Sequence, residues 1–239
     1  MNPNLEMQVN KTNAGLYTVT YGRKEAPLNV QEASFASNKL GMISPAQLGF
    51  LRANAENANE FSPYSRTNAD VFYDDKNNKV VIVPDGAISK QVGIADLVDA
   101  HREGKEYVIP KNQRDLVYAM VDEMLKKGTA FTAKHGQTDI PVSEFGQTEL
   151  TSRLFSDESL GINAQDYGNW LKKQGRSTQS MFFDNEGYTK SQKGPYTNRL
   201  RVGGPDFVFL VVGYYRNLDG SFGAFGVRFE KTAEGGPKK

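Results

Sequence analysis

Cysteine is absent from this chain of 239 residues, and histidine occurs only twice. Without cysteine the chain has no disulfide, no thiolate metal site and no cysteine nucleophile. A zinc site built on His101 or His135 would need carboxylates to complete its ligand set. His101 falls on the apolar side of a predicted helix and is expected to pack there, whereas His135 precedes a glycine in a predicted loop.

The chain also lacks an excess of either charge. Its 29 lysines and arginines and its 28 aspartates and glutamates leave a net charge of +1. No global field therefore attracts the molecule to nucleic acid or to an anionic membrane, and any such binding must come from a local patch.

Long apolar segments are missing as well. No apolar run reaches the roughly 18 residues that a membrane-spanning helix requires. The first residues lack the basic and then apolar blocks of a secretory signal. We therefore predict a protein with no membrane partner that resides in the cytoplasm, or in the host cytoplasm if a virus encodes it.

Common catalytic motifs are absent too. The sequence contains no Gly-x-x-x-x-Gly-Lys-Ser/Thr phosphate loop, no Gly-x-Ser-x-Gly nucleophile elbow and no His-Glu-x-x-His zinc motif. These absences predict a non-catalytic protein without a cofactor.

One carboxylate pattern keeps a hydrolase open as an alternative. Asp85 follows a proline, and Glu103 and Lys105 come later in a loose match to metal-dependent nuclease cores. In such a core an aspartate and a glutamate hold magnesium and a lysine steadies the attacking water. Here, however, the glutamate and the lysine fall at the end of a predicted helix instead of on a strand.

Two β-hairpins are predicted. The longest apolar run, 207–215, is rich in β-branched and aromatic residues without alternation, which indicates a strand covered on both faces. Asp219 and Gly220 are typical of a turn that joins it to a second strand at 222–230. The other hairpin pairs 70–73 with 79–83 across a turn rich in aspartate and asparagine.

About five helices complete an α+β fold with mixed or antiparallel sheets. One helix begins with Ser44 as N-cap, Pro45 at the first helical position and Gln47 three residues after the cap. The chain is predicted to divide into a flexible N-terminal arm at 1–14, an α/β unit at 15–140, a helical pair with a C-terminal β-hairpin unit at 141–231, and a flexible tail at 232–239.

The helical pair carries the main functional hypothesis. Helices are predicted at 147–155 and at 164–174, with Asn163 as the cap of the second. The string from Leu160 to Lys172 resembles the turn and second helix of helix-turn-helix DNA-binding domains. The resemblance covers about a tenth of the chain, and the connection between the helices is longer than is usual in that motif. It implies that Gln165 and Asn169 reach base edges.

A basic stretch follows that pair of helices. The segment 171–201 contains seven basic and two acidic residues, which gives it a local charge of +5. Tyrosines and phenylalanines are interleaved, and 185–187 is predicted as the turn of a hairpin like the wing of a winged-helix domain. Cations that meet phosphates release counterions and so supply affinity. The seven cations are Lys172, Lys173, Arg176, Lys190, Lys193, Arg199 and Arg201.

The sequence thus predicts a non-catalytic binding protein, with DNA or RNA as the most specific candidate ligand. One alternative is a structural or protein-interaction protein whose partner is another protein or a second copy of the chain. The metal-dependent nuclease or other hydrolase is the remaining alternative. The nucleic-acid hypothesis depends on the seven cations lying together on one open face.

Overall fold

A mixed sheet of eleven strands is the main element of the described part of the chain. The structure is a computed structural model, and it describes residues 6–103, 105–204, 209–212 and 223–232. The strands in chain order are β1 Asn10–Ala14, β2 Tyr17–Glu25, β3 Gly41–Met42, β4 Ser65–Asp74, β5 Lys79–Val83, β6 Phe131–Ala133, β7 Gly136–Pro141, β8 Thr178–Phe183, β9 Tyr196–Val202, β10 Phe209–Val212 and β11 Gly223–Lys231. Most neighbours are antiparallel, but β10 with β8 and β11 with β4 are parallel.

Eight α-helices accompany the sheet in the described residues, which confirms the α+β class. They are α1 Leu28–Ser37, α2 Pro45–Asn54, α3 Ala87–Val92, α4 Ile94–Arg102, α5 Lys111–Lys126, α6 Glu149–Phe155, α7 Ala164–Lys173 and α8 Glu186–Ser191. The sequence predicted about five, and α1, α3 and α8 were missed. Helix α1 has no apolar stripe because it buries Gln31 and Ser34 beside Leu28 and Phe35. The other two span only six residues each.

Both faces of the sheet are covered, as the alternation along β4 shows. Val71 and Tyr73 belong to the larger hydrophobic cluster, which also includes residues of α2, α6 and α7. Phe72 points into a second cluster, formed with residues of α3, α4 and α5. Successive side chains of a strand face opposite sides of the sheet, so β4 is a central strand between two helical layers.

The start of α2 has the local structure that its sequence predicts. The Ser44 hydroxyl accepts a hydrogen bond from the Gln47 amide, and the Gln47 side-chain oxygen accepts one from the Ser44 amide, each at 3.1 Å. This capping box satisfies two amide groups that have no partner inside the helix. It also fixes the position of the chain where α2 meets the strand β4.

The hairpin of β4 and β5 is confirmed, and the hairpin predicted near the C-terminus is wrong. Strands β4 and β5 pair antiparallel from Asp70 opposite Val83 to Asp74 opposite Lys79. In contrast, β10 and β11 are separated in the sheet by β4 and β9. The predicted turn at Asp219 and Gly220 lies outside the described residues. Strand β10 is nevertheless an interior strand, because it pairs with β8 and with β9.

One sheet includes strands from both of the units that the sequence predicted. Strand β4, from 15–140, pairs with β9, from 141–231. Residues Asn10–Ala14, predicted as part of a loose arm, form β1 and pair with β2. None of the described helices has the length and apolar character that crossing a bilayer requires.

Candidate functional site

The basic stretch does not form one open face. Arg199 and Arg201 are 2% and 1% exposed, because every residue of β9 is buried in the sheet. Lys190 forms an ion pair with Glu186 one helical turn away. Lys172, Lys173 and Lys193 are exposed and Arg176 is half-buried.

The two helices of the predicted DNA-binding motif exist, but α7 packs into the core. Its residues Tyr167 and Leu171 are buried, and it contacts α2. Asn163 caps α7 as predicted, accepting a hydrogen bond from the Gln165 amide at 2.8 Å. This arrangement makes α7 a part of the helical layer over the sheet.

Of the two side chains predicted to read bases, that of Gln165 is held by contacts within the fold. The Gln165 side-chain oxygen accepts a hydrogen bond from the Gly146 amide at 3.0 Å. Its side-chain nitrogen donates to the Val142 carbonyl and to the Asn169 side chain, both at 3.3 Å. Gln165 thereby fixes the loop at 142–146 against α7, while Asn169 remains exposed.

The predicted wing is also wrong. Residues Glu186–Ser191 form helix α8, which Asn185 caps by accepting a hydrogen bond from the Tyr188 amide at 2.7 Å. The strands on either side of α8 do not pair with each other: β8 pairs with β7 and β10, and β9 pairs with β4 and β10. Asn185, which favours turns, here serves as a helix cap.

The carboxylate pattern of the nuclease alternative is not assembled on a strand. Glu103 and Lys105 follow α4 as an exposed ion pair of 2.7 Å. Asp85 instead lies in a 3-10 turn after β5. His101 is buried 3.9 Å from the Glu106 carboxylate. Among the described residues, no three acidic or histidine side chains are grouped as a metal site would require.

The structure does build a polar centre around that 3-10 turn, Pro84–Gly86. Asp85 has φ +57° and Gly86 has φ +60°, which places both in the left-handed region. The Asn68 side-chain nitrogen donates a hydrogen bond of 2.9 Å to the Asp85 carboxylate. The Asn68 carbonyl in turn accepts from Arg199 at 2.9 Å. Asn68 therefore connects this turn to the buried strand β9.

Two cavities meet at Asn68 and Asp85, which line both. The α6 cavity, named for the helix at its edge, has a volume of about 350 Å³ and the α1 cavity one of about 450 Å³. The α6 cavity is lined by Ser44, Pro45, Ala46, Asn68, Ala69, Ile82, Pro84, Asp85, Gly128, Thr129, Phe131, Arg153, Leu154, Ser156 and Asp157. The α1 cavity is lined by Glu32, Phe35, Ala36, Leu40, Gly41, Met42, Asn68, Asp85, Lys90 and Arg199.

A buried ion network forms one wall of the α1 cavity. A guanidinium nitrogen of Arg199 lies 2.5 Å from the Glu32 carboxylate, and Nε lies 3.4 Å from that of Asp70. Asp70 also accepts hydrogen bonds from the amide, at 2.8 Å, and the hydroxyl of Ser89. Arg199 is neutralised inside the fold, which explains why a buried strand tolerates it.

The charged residues at the rim of the α6 cavity are Asp85, Arg153 and Asp157. Arg153 is held 3.3 Å from Glu149, and its guanidinium carbon lies 4.7 Å from the centre of the Phe131 ring. Asp157 accepts hydrogen bonds from the amide and the hydroxyl of Ser159, at 3.0 and 2.6 Å. These contacts fix two carboxylates and one guanidinium around an apolar floor.

Only part of this centre is predictable from the sequence. Asp85 was considered as a magnesium ligand in the nuclease alternative. Glu32, Asn68, Arg153 and Asp157 were missed because they come from four separate parts of the chain. The dipeptide Asp85-Gly86 was the available signal, since both residue types favour the left-handed region.

Comparisons with known proteins bear on the fold. No family model matches the sequence, and no curated protein matches it. One solved structure, described as "Accommodation of massive sequence variation in Nanoarchaeota by the C-type lectin fold", superposes with a TM-score of 0.54 at 15% identity. The match covers 91% of this chain and 99% of that one.

This likeness corrects the functional prediction. It extends over nearly the whole chain, whereas the helix-turn-helix resemblance covered about a tenth, and it gives no support to nucleic-acid binding or to a helix-turn-helix domain. The buried Arg199 and the core position of α7 supply the physical reason. At this level of identity the comparison concerns the fold alone. The chain is similar in fold to C-type lectin-fold proteins.

Proposed function

We propose that this chain is a non-catalytic binding protein whose partner is a protein or a glycan, bound at the α6 and α1 cavities. The likeness to the C-type lectin fold supports a binding role. The solved neighbour is described as a fold that accommodates massive sequence variation. A scaffold of that kind can present different surfaces while its core stays constant, which suits recognition.

The observation that carries the proposal is the shared wall of the two cavities. Asn68 and Asp85 line both, so one ligand can contact the two cavities together. The hydrogen bond from Asn68 to Asp85 holds this wall, and Arg199 supports it by donating a hydrogen bond to the Asn68 carbonyl. Concave sites with an apolar floor and a few fixed polar groups are where proteins most often bind ligands.

An array of glycans and a display library of peptides, both probed with the purified chain, test this function. Ligands should be found, and Asp85→Asn should weaken their binding while Asp115→Asn should not. Asp115 is a suitable control because its side chain is fully exposed on α5 and lines neither cavity. Ligands whose affinity is the same for both variants and the parent chain would contradict the proposal.

Asparagine is the replacement chosen at position 85 because it tolerates the left-handed backbone of Asp85. Its side-chain oxygen can still accept the hydrogen bond from Asn68. The substitution therefore removes the charge and leaves the shape of the wall. Equal midpoints of urea unfolding for the parent and Asp85→Asn confirm that the fold is unchanged.

A further inference from the structure

The α6 cavity combines an apolar floor with an acidic rim. Ile82, Phe131 and Leu154, all buried, belong to the floor. Asp85 and Asp157 line the same cavity from two separate segments, the turn after β5 and the segment after α6. A ligand group that fits must therefore be apolar along its length and polar at its end.

Each of the two carboxylates has capacity for another hydrogen bond. In the described part of the chain, one oxygen of Asp85 accepts from Asn68 and one oxygen of Asp157 accepts from Ser159. The second oxygen of each carboxylate has no such partner there. An ionised carboxylate accepts hydrogen bonds only, so these oxygens can accept one from a donor group of a ligand.

The charge of the cavity favours a cationic donor. Arg153 is the one cation among the described residues that line it. Its charge is already opposed by Glu149, and its guanidinium also donates to the carbonyls of Gly128 and Ala130. Asp85 and Asp157 therefore lack a cationic partner in the cavity, and hydrogen bonds from an ammonium or guanidinium to a carboxylate are the strong ones.

We infer that the α6 cavity receives a lysine or arginine side chain of a partner protein. This inference rests on the proposed function and specifies its ligand. The methylene stem of such a side chain covers apolar surface while its charged head reaches a polar group, which matches the floor and the rim. A sugar fits less well, because the ring of Phe131 is buried beneath Arg153 and offers no open face for stacking.

A titration with Nα-acetyl-argininamide, followed by the amide signals of the chain in NMR spectra, tests the inference directly. Saturable shifts are expected at Asp85, Ser156 and Asp157. Nα-acetyl-norleucinamide, which has an apolar side chain without a charge, should cause no saturable shift. Asp85→Asn and Asp157→Asn should each weaken binding about tenfold, the effect of one charge-assisted hydrogen bond. Asp115→Asn should leave the affinity unchanged.

Three outcomes would overturn the inference. These are an absence of saturable shifts at the cavity, equal shifts with the norleucine compound, and equal affinities of the parent and the two cavity variants. A glycan whose binding depends on Asp85 while argininamide does not bind would reject the basic side chain and leave the proposed function standing. If no ligand changes its affinity when residues of either cavity are substituted, the proposed function itself is rejected.

Discussion

The guanidinium of Arg199 lies 2.5 Å from the carboxylate of Glu32, although the two residues are 167 positions apart in the chain. The carboxylate of Asp70 lies 3.4 Å from Nε of the same guanidinium, and the Asp70 side chain is fully buried. Burying a charge is costly unless it is paired, so these three residues depend on one another. The polar wall of the α1 cavity exists because of this network.

Replacing Arg199 should be strongly destabilising. Arg199→Met leaves the buried carboxylate of Asp70 without its cation, and we expect a loss of about 3–5 kcal/mol in the free energy of unfolding. Glu32→Gln should cost less, about 1.5 kcal/mol, because Glu32 is partly exposed and Asp70 still pairs with the arginine. Urea unfolding measures both. Equal costs for the two variants would contradict this account of the network.

Gly86 and Gly161 offer a matched test of the turn at the shared wall. Both glycines have left-handed backbones, with φ of +60° and +65°. A β-carbon at Gly86 would meet the Arg199 guanidinium, whereas one at Gly161 meets no atom within 4 Å.

Gly161→Ala should therefore lower the free energy of unfolding by about 1 kcal/mol, because only the strain of a left-handed alanine backbone is added. Gly86→Ala adds a steric conflict with the buried ion network, and we expect it to lower the free energy of unfolding by about 3 kcal/mol in total. Urea unfolding of the two alanine variants compares them. A loss at Gly86 no larger than the loss at Gly161 would show that Arg199 does not pack against the turn.

The capping box at the start of α2 predicts a moderate effect. Ser44→Ala removes the acceptor for the Gln47 amide and should lower the free energy of unfolding by about 1 kcal/mol. Ser44→Asp retains a capping oxygen and should restore most of the loss. Thermal unfolding of both variants is the measurement, and an alanine variant as stable as the parent chain would contradict the role of Ser44.

The lowered pKa of the Glu60 carboxyl should make the stability of the fold depend on pH. The hydroxyl of Tyr21 donates a hydrogen bond of 2.6 Å to Glu60, and this bond, with a contribution from Asn57, lowers the pKa of that carboxyl below its ordinary 4.5. A carboxyl with a lowered pKa in the folded state stabilises the fold above its unfolded pKa. That contribution is lost as the pH falls through the folded value.

The parent chain should accordingly be more stable than Glu60→Gln at pH 7, and the difference should shrink as the pH falls below 4.5. Urea unfolding across this range provides the test. In a Tyr21→Phe background the same comparison should show a smaller change, because the main cause of the lowered pKa is gone. A difference that stays constant with pH would contradict the assignment.

The features of the fold that are predictable from the sequence are those encoded in neighbouring residues. The capping box needs only Ser44 to Gln47, and the hairpin of β4 and β5 needs only a turn and two flanking strands. Helix α7 has its cap, Asn163, directly before its first residue. In each case the residues that stabilise the element lie within it or next to it.

The features that were missed depend on residues far apart in the chain. Arg199 was expected on an exposed basic face because nothing near it in sequence indicates the carboxylates of Glu32 and Asp70. Strand β10 was expected to pair with β11, but β4 and β9 lie between them. Helix α7 was predicted correctly and misinterpreted, since the sequence alone does not show that its Tyr167 face packs against α2.

The paired cavities are likewise a product of distant contacts. Asn68, on β4, and Asp85, after β5, meet only because the hairpin pairs, and Asp157 joins them from beyond α6. No motif in the sequence brings these three residues together. The fold class was therefore predictable, whereas the candidate binding site required the three-dimensional arrangement.

NMR chemical-shift mapping of the first ligand obtained from the glycan array or the peptide library shows whether that ligand binds at the two cavities. The largest changes are expected at Asn68, Asp85 and Ser156, around the shared wall of the two cavities. Changes confined to α7, at Gln165, Asn169 and Lys172, with none at the wall, would contradict binding at the two cavities.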